Sequence, residues 1–367
     1  MIWSVITDSK TADFSWFKNL YNYICEFSKR HKISLHMIKN LQDCSCLPEN
    51  SILIILGNNK EWLSEIEGFI QHKKITVVLM IGYGDFSNNR IIRIRYDMNS
   101  AIIQSINLLK EKGRIRPACF GIQSKDSADL IKADTFIKRF CKNDIYYDEE
   151  GLDKCFERFF CNIEQYDSVI CSNDIMALFL QKKCKEFNIA IPERLHIVSI
   201  GNLWVSSHTS PSITTFECNL NNFVEVLWKI LNVKQNNDIF SKVDVLLEPK
   251  LIKRKSTCDD AILTKFEKLD RYSPVLNFNE ELDPQVCKIR DFDLAFSSFN
   301  ELEIKIITEL INNKSYEEIA TNNFISIDAL KYHIKKVYSR LEINSRKELL
   351  DLVKEYSLVL ESGIGEK

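Results

Sequence analysis

Glycine is scarce, with ten in 367 residues, and none sits in a GxxxxGK[ST] loop or a strand-linked GxGxxG turn, so the backbone has few places to wrap a phosphate. HExxH and GxSxG are missing too, which removes the zinc-peptidase and serine-hydrolase signatures. The chain reads as a non-enzyme that needs no cofactor and no metal. No stretch reaches the roughly 18 uninterrupted apolar residues of a membrane span, and the opening MIWSVITDSK lacks the basic flank and apolar run of a signal peptide. No membrane partner is expected, and the expected location is cytoplasmic. The twelve cysteines contain no CxxC pair; Cys44 and Cys46 are the only close two and have no further ligands nearby, so the thiols read as reduced and mostly core. Net charge is only -2, so any attraction to nucleic acid must come from local asymmetry.

What is present is enough apolar sequence, 45%, to fill two or three cores. Over the first 255 residues short apolar runs alternate with amphipathic stretches, the pattern of βα units around mostly parallel sheets. Candidate strands are 2–7, 33–38, 52–56, 76–81, 91–95, 118–122, 168–172 and 196–200; candidate helices are 15–29, 99–112, 127–141, 174–187 and 221–231. Between 256 and 298 the periodicity fades around Pro274 and Pro284, which predicts an inter-domain linker. Beyond it every candidate element is a helix, so the fold class is α/β plus a small all-α C-terminal domain over 299–358.

That C-terminal part is delimited by caps. Asn300 with Glu303 and Ser345 with Glu348 read as capping boxes, Ser315 precedes Glu317 and Glu318, and Ser326 can cap a third helix. In the third helix Leu330, Ile334, Val337 and Leu341 form one apolar stripe, which turns Lys331, Lys335, Lys336 and Arg340 away from the core. From Ile327 to Lys347 six basic residues stand against two acidic ones. A short helix, a tight turn and a basic second helix is the arrangement that enters a major groove, although a solvated charged face has the same composition.

The run FNELEIKIITELINNKSYEEIATNNFISIDALKYHIKKVYSRLEINSRKELL resembles the LuxR-type helix-turn-helix without a gap. The resemblance implies that Lys331, Tyr332 and Lys335 meet the major groove and that Arg346 lies near phosphate; Lys336 and Arg340 are further DNA-binding candidates. His333 is expected to pack at the helix junction. Glu342 departs from the family, which usually has a glycine there.

Three further segments, CSNDIMALFLQKKCKEFNIAIPERLHIVSIGN, SPSITTFECNL and VLLEPKLIKRKST, resemble the sensor domain of lactose-repressor-type regulators. This resemblance implies a periplasmic-binding-protein-like domain over 1–255, with two lobes, three crossovers (one near 113–117) and a small-molecule cleft. It places candidate ligand contacts at Phe14, Trp16, Asp97, Asn173 and Asn202, with Trp204 as a stacking face; Asn173 also suits a plain helix cap and Phe14 plain packing. The helix SADLIKADTF lacks the family's arginine, and Asn202 stands where an aspartate is usual, so a neutral or weakly polar effector is expected. The implied protein is a homodimeric transcription regulator of small-molecule metabolism, carbohydrate included, with DNA, an effector and RNA polymerase as candidate partners. The competing expectation is that the cleft has lost its ligand and the domain serves dimerisation or protein binding.

Overall fold

The computed structural model describes residues 2–7, 15–57, 60–80, 90–140, 144–234, 242–257 and 283–360. Runs such as ILIIL at 52–56 are buried along their whole length, as strands covered by helices on both faces must be. They build two six-stranded sheets.

The first sheet holds β1 (Ile2–Thr7), β2 (Ser34–Met37), β3 (Ile52–Leu56), β4 (Thr76–Met80), β5 (Arg90–Tyr96) and β11 (Lys242–Leu247), in the order β2-β1-β3-β4-β5-β11 and parallel throughout. The second holds β6 (Pro117–Ile122), β7 (Ile145–Tyr147), β8 (Ser168–Cys171), β9 (His196–Ile200), β10 (Thr214–Glu217) and β12 (Lys250–Ile252), in the order β7-β6-β8-β9-β10-β12. Only β12 runs antiparallel there. Helices α1 (Ser15–Arg30), α2 (Lys60–Ile70) and α8 (Asn221–Lys234) follow strands of, or return to, the first lobe; α3 (Met98–Glu111), α4 (Ser127–Phe140), α5 (Leu152–Phe160), α6 (Asp174–Glu186) and the short α7 (Trp204–His208) belong to the second.

The chain passes between lobes three times, and the first passage is not at 113–117. It lies at Asp97, because α3 packs on α4, β8 and β9 of the second lobe. The others are at 218–220 and 248–249, and the three strands are laced together. Asp97 N donates to Leu247 O at 2.8 Å, Tyr96 OH to Asn219 O at 2.7 Å, and Gln104 Nε2 to Glu248 Oε1 at 2.9 Å.

Gly121 sits at a register shift of β6 with φ +72, and a Cβ there would lie 2.5 Å from Met176 Cγ, so both its backbone and its space require glycine. Of the ten described cysteines, Cys44, Cys119, Cys155, Cys171 and Cys184 are buried, while Cys46 is exposed. Burial pushes the Cys119, Cys155 and Cys184 thiols up to about 12.

The stretch read as a linker corrects that expectation in part: it contains α9 (Pro284–Ser297), begun by Asp283 accepting from Gln285 N at 2.7 Å with proline in its first turn. Val286, Ile289, Phe292 and Phe296 are buried in a core that runs without a break from the second lobe into the helices beyond. Residues 258–282 lie outside the described residues. The C-terminal helices are α10 (Glu301–Ile311), α11 (Tyr316–Asn322), α12 (Ile327–Arg340) and α13 (Arg346–Glu355). Both capping boxes at Asn300 and Ser315 form. At the fourth helix Glu348 reaches Asn344 N and not Ser345 N, so the box expected there is replaced by a simple Ser345 cap.

Candidate ligand cleft and nucleic-acid interface

In both sheets the order 2-1-3-4-5 puts a topological switch point between the first and third strands, where a crevice opens at the strands' carboxyl ends. In the first lobe that edge follows Thr7 and Leu56. Phe14 lies outside the described residues there, as does the side chain of Trp16, whose backbone is in the first turns of α1.

The second lobe's edge is a network of charged groups that the motifs did not announce. Gln123 N donates to Asp129 Oδ2 (3.0 Å), Asp129 N to Asp126 Oδ1 (2.9 Å), and Gln123 Nε2 to Asp148 Oδ2 (3.3 Å). Lys132 Nζ is shared between Asp129 Oδ1 (2.7 Å) and Ser172 O (2.8 Å). Burial, reinforced by Asp129, pushes Asp126 up to about 6, and burial does the same for Asp148. Lys132 thus lies in the SADLIKADTF stretch, where no arginine is found, but its charge is committed inside the lobe. The spacing D-x-x-D-x-x-K at 126–132, one face of a helix start, was the available signal.

Asn173 is half-buried at the cleft edge and caps α6, accepting from Met176 N at 3.1 Å. Asp97 caps α3, accepting from Ser100 N at 3.1 Å, at a crossover. Asn202, 2% exposed and at φ 56, spends its side chain within the lobe: Oδ1 accepts from Arg254 Nη2 at 2.5 Å and Nδ2 donates to Glu217 Oε1 at 3.2 Å. Trp204 does not offer its ring to the cleft. It stacks between His208 (centroids 3.9 Å) and Phe296 of α9 (5.2 Å).

Residues 142–257 match the family profile of a periplasmic binding protein-like domain. Two-lobed regulators of known structure share the fold. The chain aligns with a transcriptional regulator CelR in complex with cellobiose at TM-score 0.54 and 14% identity over 70% of this chain and 84% of that one. With a LacI family regulator from Silicibacter pomeroyi the values are 0.55 and 15% over 71% and 100%, and with the transcription regulator CcpA of Lactococcus lactis 0.53 and 16% over 70% and 99%. No curated relative matches the chain by sequence. The fold is a two-lobed periplasmic-binding-protein-like α/β architecture followed by a helical region. No described helix is long and apolar enough to cross a membrane, and no described group of three or more His, Cys, Asp or Glu could hold a metal ion.

On the helical region, α11 and α12 are joined by a turn at 323–326, with Ser326 Oγ accepting from Ala329 N at 3.1 Å. Leu330, Ile334 and Val337 are buried, as their stripe requires. The basic residues separate into two groups. Lys331 and Lys335 are exposed and make no ion pair or hydrogen bond among the described residues; Tyr332 beside them is 66% exposed. Lys336 and Arg340 turn back onto Glu303, 1% exposed, at 2.6 and 3.2 Å. Burial raises the Glu303 carboxyl, but Lys336, the Asn300 N–H and Arg340 outweigh it and hold it below the usual carboxylate range. Arg346 caps the end of α10, donating Nε and Nη2 to Leu310 O at 2.9 and 2.6 Å. His333 lies 4.0 Å from Glu303, at the junction. Glu303 was legible only as half of a capping box; its second role needed α10 and α12 in contact.

Proposed function

We propose that this chain is a DNA-binding transcription regulator in which a two-lobed effector domain carries a C-terminal LuxR-type helix-turn-helix. The observation that supports it best is the solvent face of α12, where Lys331, Tyr332 and Lys335 stand together on a capped helix behind a short turn, the two lysine charges unpaired among the described residues. In this reading they enter the major groove, Lys336 and Arg340 act through Glu303 to hold the helix, and Arg346 fixes the junction. A homodimer would set the spacing of two such helices, and RNA polymerase would be met at the promoter.

The effector in this reading is neutral or cationic. Asp126, Asp129 and Asp148 line the second lobe's edge, where the buried Lys132 is already paired, so a phosphate or carboxylate entering there meets an excess of like charge. The cellobiose bound by one relative in fold is a neutral ligand of this kind. A second reading, dimerisation or protein binding through a cleft without a ligand, draws on the commitment of Lys132, Asn202 and Trp204 to contacts within the chain.

The test is in two arms on the intact chain. Selection from a random duplex library should return a defined sequence motif, and a thermal-shift screen should show a rise with a neutral sugar, nucleobase or amine but none with sugar phosphates. No enriched motif would sink the DNA reading; a motif with no thermal response to any small molecule would favour the second.

A further inference from the structure

The route from the cleft to the DNA-reading helices runs through a backbone segment of three residues, Leu203 to Val205, that follows β9. Each end of it is held by a fully buried carboxylate from a different helix. Asp174, the first residue of α6 and the neighbour of Asn173 at the cleft edge, accepts from Leu203 N at 2.6 Å. Its other oxygen accepts from Ser199 Oγ and from Thr215 Oγ1 at 2.6 Å. Asp293 of α9 accepts from Val205 N at 2.8 Å, and its remaining oxygen has no hydrogen-bond partner among the described residues.

Two carboxylates buried this close repel each other, and either cap could be made by a neutral side chain at lower cost. Their pairing makes sense if the segment is a joint. One carboxylate belongs to the helix that begins at the cleft, and the other to the helix that leads into the C-terminal module. Beyond Asp293 the connection is stiff. Phe292 stacks on Tyr356 (4.3 Å), Phe296 meets Phe299 (5.5 Å), Lys182 Nζ reaches Glu355 Oε1 (2.5 Å), and Val359 N donates to His208 O (2.7 Å).

We propose that Asp293 is the positioning residue that ties the cleft to the DNA-reading helices, so that a shift of Asn173 and the loop after β9 moves α9 and the C-terminal module with it. This rests on the regulator reading above. It makes the second lobe, α9 and the module one moving body, with the first lobe closing against it.

Hydrogen exchange on the intact chain tests it with wild type, Asp293→Asn and Asp293→Ala. Without DNA, Asp293→Ala should speed exchange at 203–208 by about tenfold while β1 to β5 stay unchanged; Asp293→Asn, which keeps an acceptor oxygen, should stay within about threefold of wild type. Adding the duplex that wild type selects should change exchange at 203–205 in wild type and Asp293→Asn but not in Asp293→Ala. That last difference is one that a residue serving stability alone would not produce. Wild-type exchange at 203–208 in Asp293→Ala, or a DNA response that persists in it, would overturn the proposal. Should the alanine variant fail to fold, Asp293→Leu fills the space and serves the same comparison. If wild type selects no duplex, the regulator reading fails, and the arm without DNA still decides whether the tie exists.

Discussion

Replacing Glu303 by alanine removes three things at once. The capping box loses its return bond to Asn300 N (3.1 Å), Lys336 loses a partner at 2.6 Å, and Arg340 loses one at 3.2 Å. Breaking a buried ion pair from one side costs about 3–5 kcal/mol when the orphaned charge stays buried. Here Lys336 and Arg340 keep about a third of their side chains in water, so each can turn outward and recover part of that loss. The capping bond adds about 1 kcal/mol. The expected destabilisation is therefore about 2–3 kcal/mol, confined to α10–α13. Because the Glu303 carboxyl is held below its ordinary value, its contribution is complete above about pH 5 and drains away as pH falls further. Urea unfolding followed by exchange at α10–α13 measures it. A loss under about 0.5 kcal/mol, or one that is unchanged at pH 3, would refute the reasoning.

Lys331→Ala and Lys335→Ala should each weaken binding to the selected duplex by about 1–3 kcal/mol with unfolding unchanged, whereas Lys336→Ala should lower the stability of α10–α13; equal effects of all three on DNA, measured by electrophoretic shift, would show that the face is misassigned. Glu342 has φ 55, a left-handed conformation that suits glycine, so Glu342→Gly should stabilise the module by roughly 1 kcal/mol in the same urea assay. Gly121→Ala should cost more than about 2 kcal/mol, since it meets both the +72 backbone and Met176, and calorimetry showing no loss of Tm would count against that packing. Burial raises Asp293 to about 7 and Asp126 and Asp148 to about 6, so the stability of the second lobe should be full below about pH 4 and decline as pH rises through 6 to 7; Asp293→Asn should flatten the upper part of that profile.

The alternation of apolar runs with amphipathic stretches was enough to read an α/β fold, because fully buried strands such as ILIIL carry a signal independent of partners; the division into two lobes came from the resemblance and not from the periodicity. Short or polar strands carried none: Lys242–Leu247 alternates exposed and half-buried residues at the sheet edge, and Ile145–Tyr147 is three residues long. The α9 helix hid for another reason. Its buried Asp293 interrupts the apolar face, and only a partner amide at Val205 explains a carboxylate there. The caps of the C-terminal helices were legible because they are local, within four residues. The division of basic residues into an exposed pair, Lys331 and Lys335, and a pair that braces Glu303 was not, since Glu303, Lys336 and Arg340 meet only when α10 lies against α12. At the cleft, Asn173 was read as both cap and candidate, and Asn202 looked available until Arg254, distant in sequence, closed on it.

The most direct measurement is the affinity of the intact chain for its selected duplex, titrated with whichever neutral or cationic small molecule raises its thermal stability. A linked switch requires the affinity to change by about 5- to 150-fold at saturation, with the same factor appearing in the small molecule's affinity when DNA is present. Affinity for DNA that stays constant while the small molecule saturates the chain would contradict the coupling of cleft to DNA-reading helices.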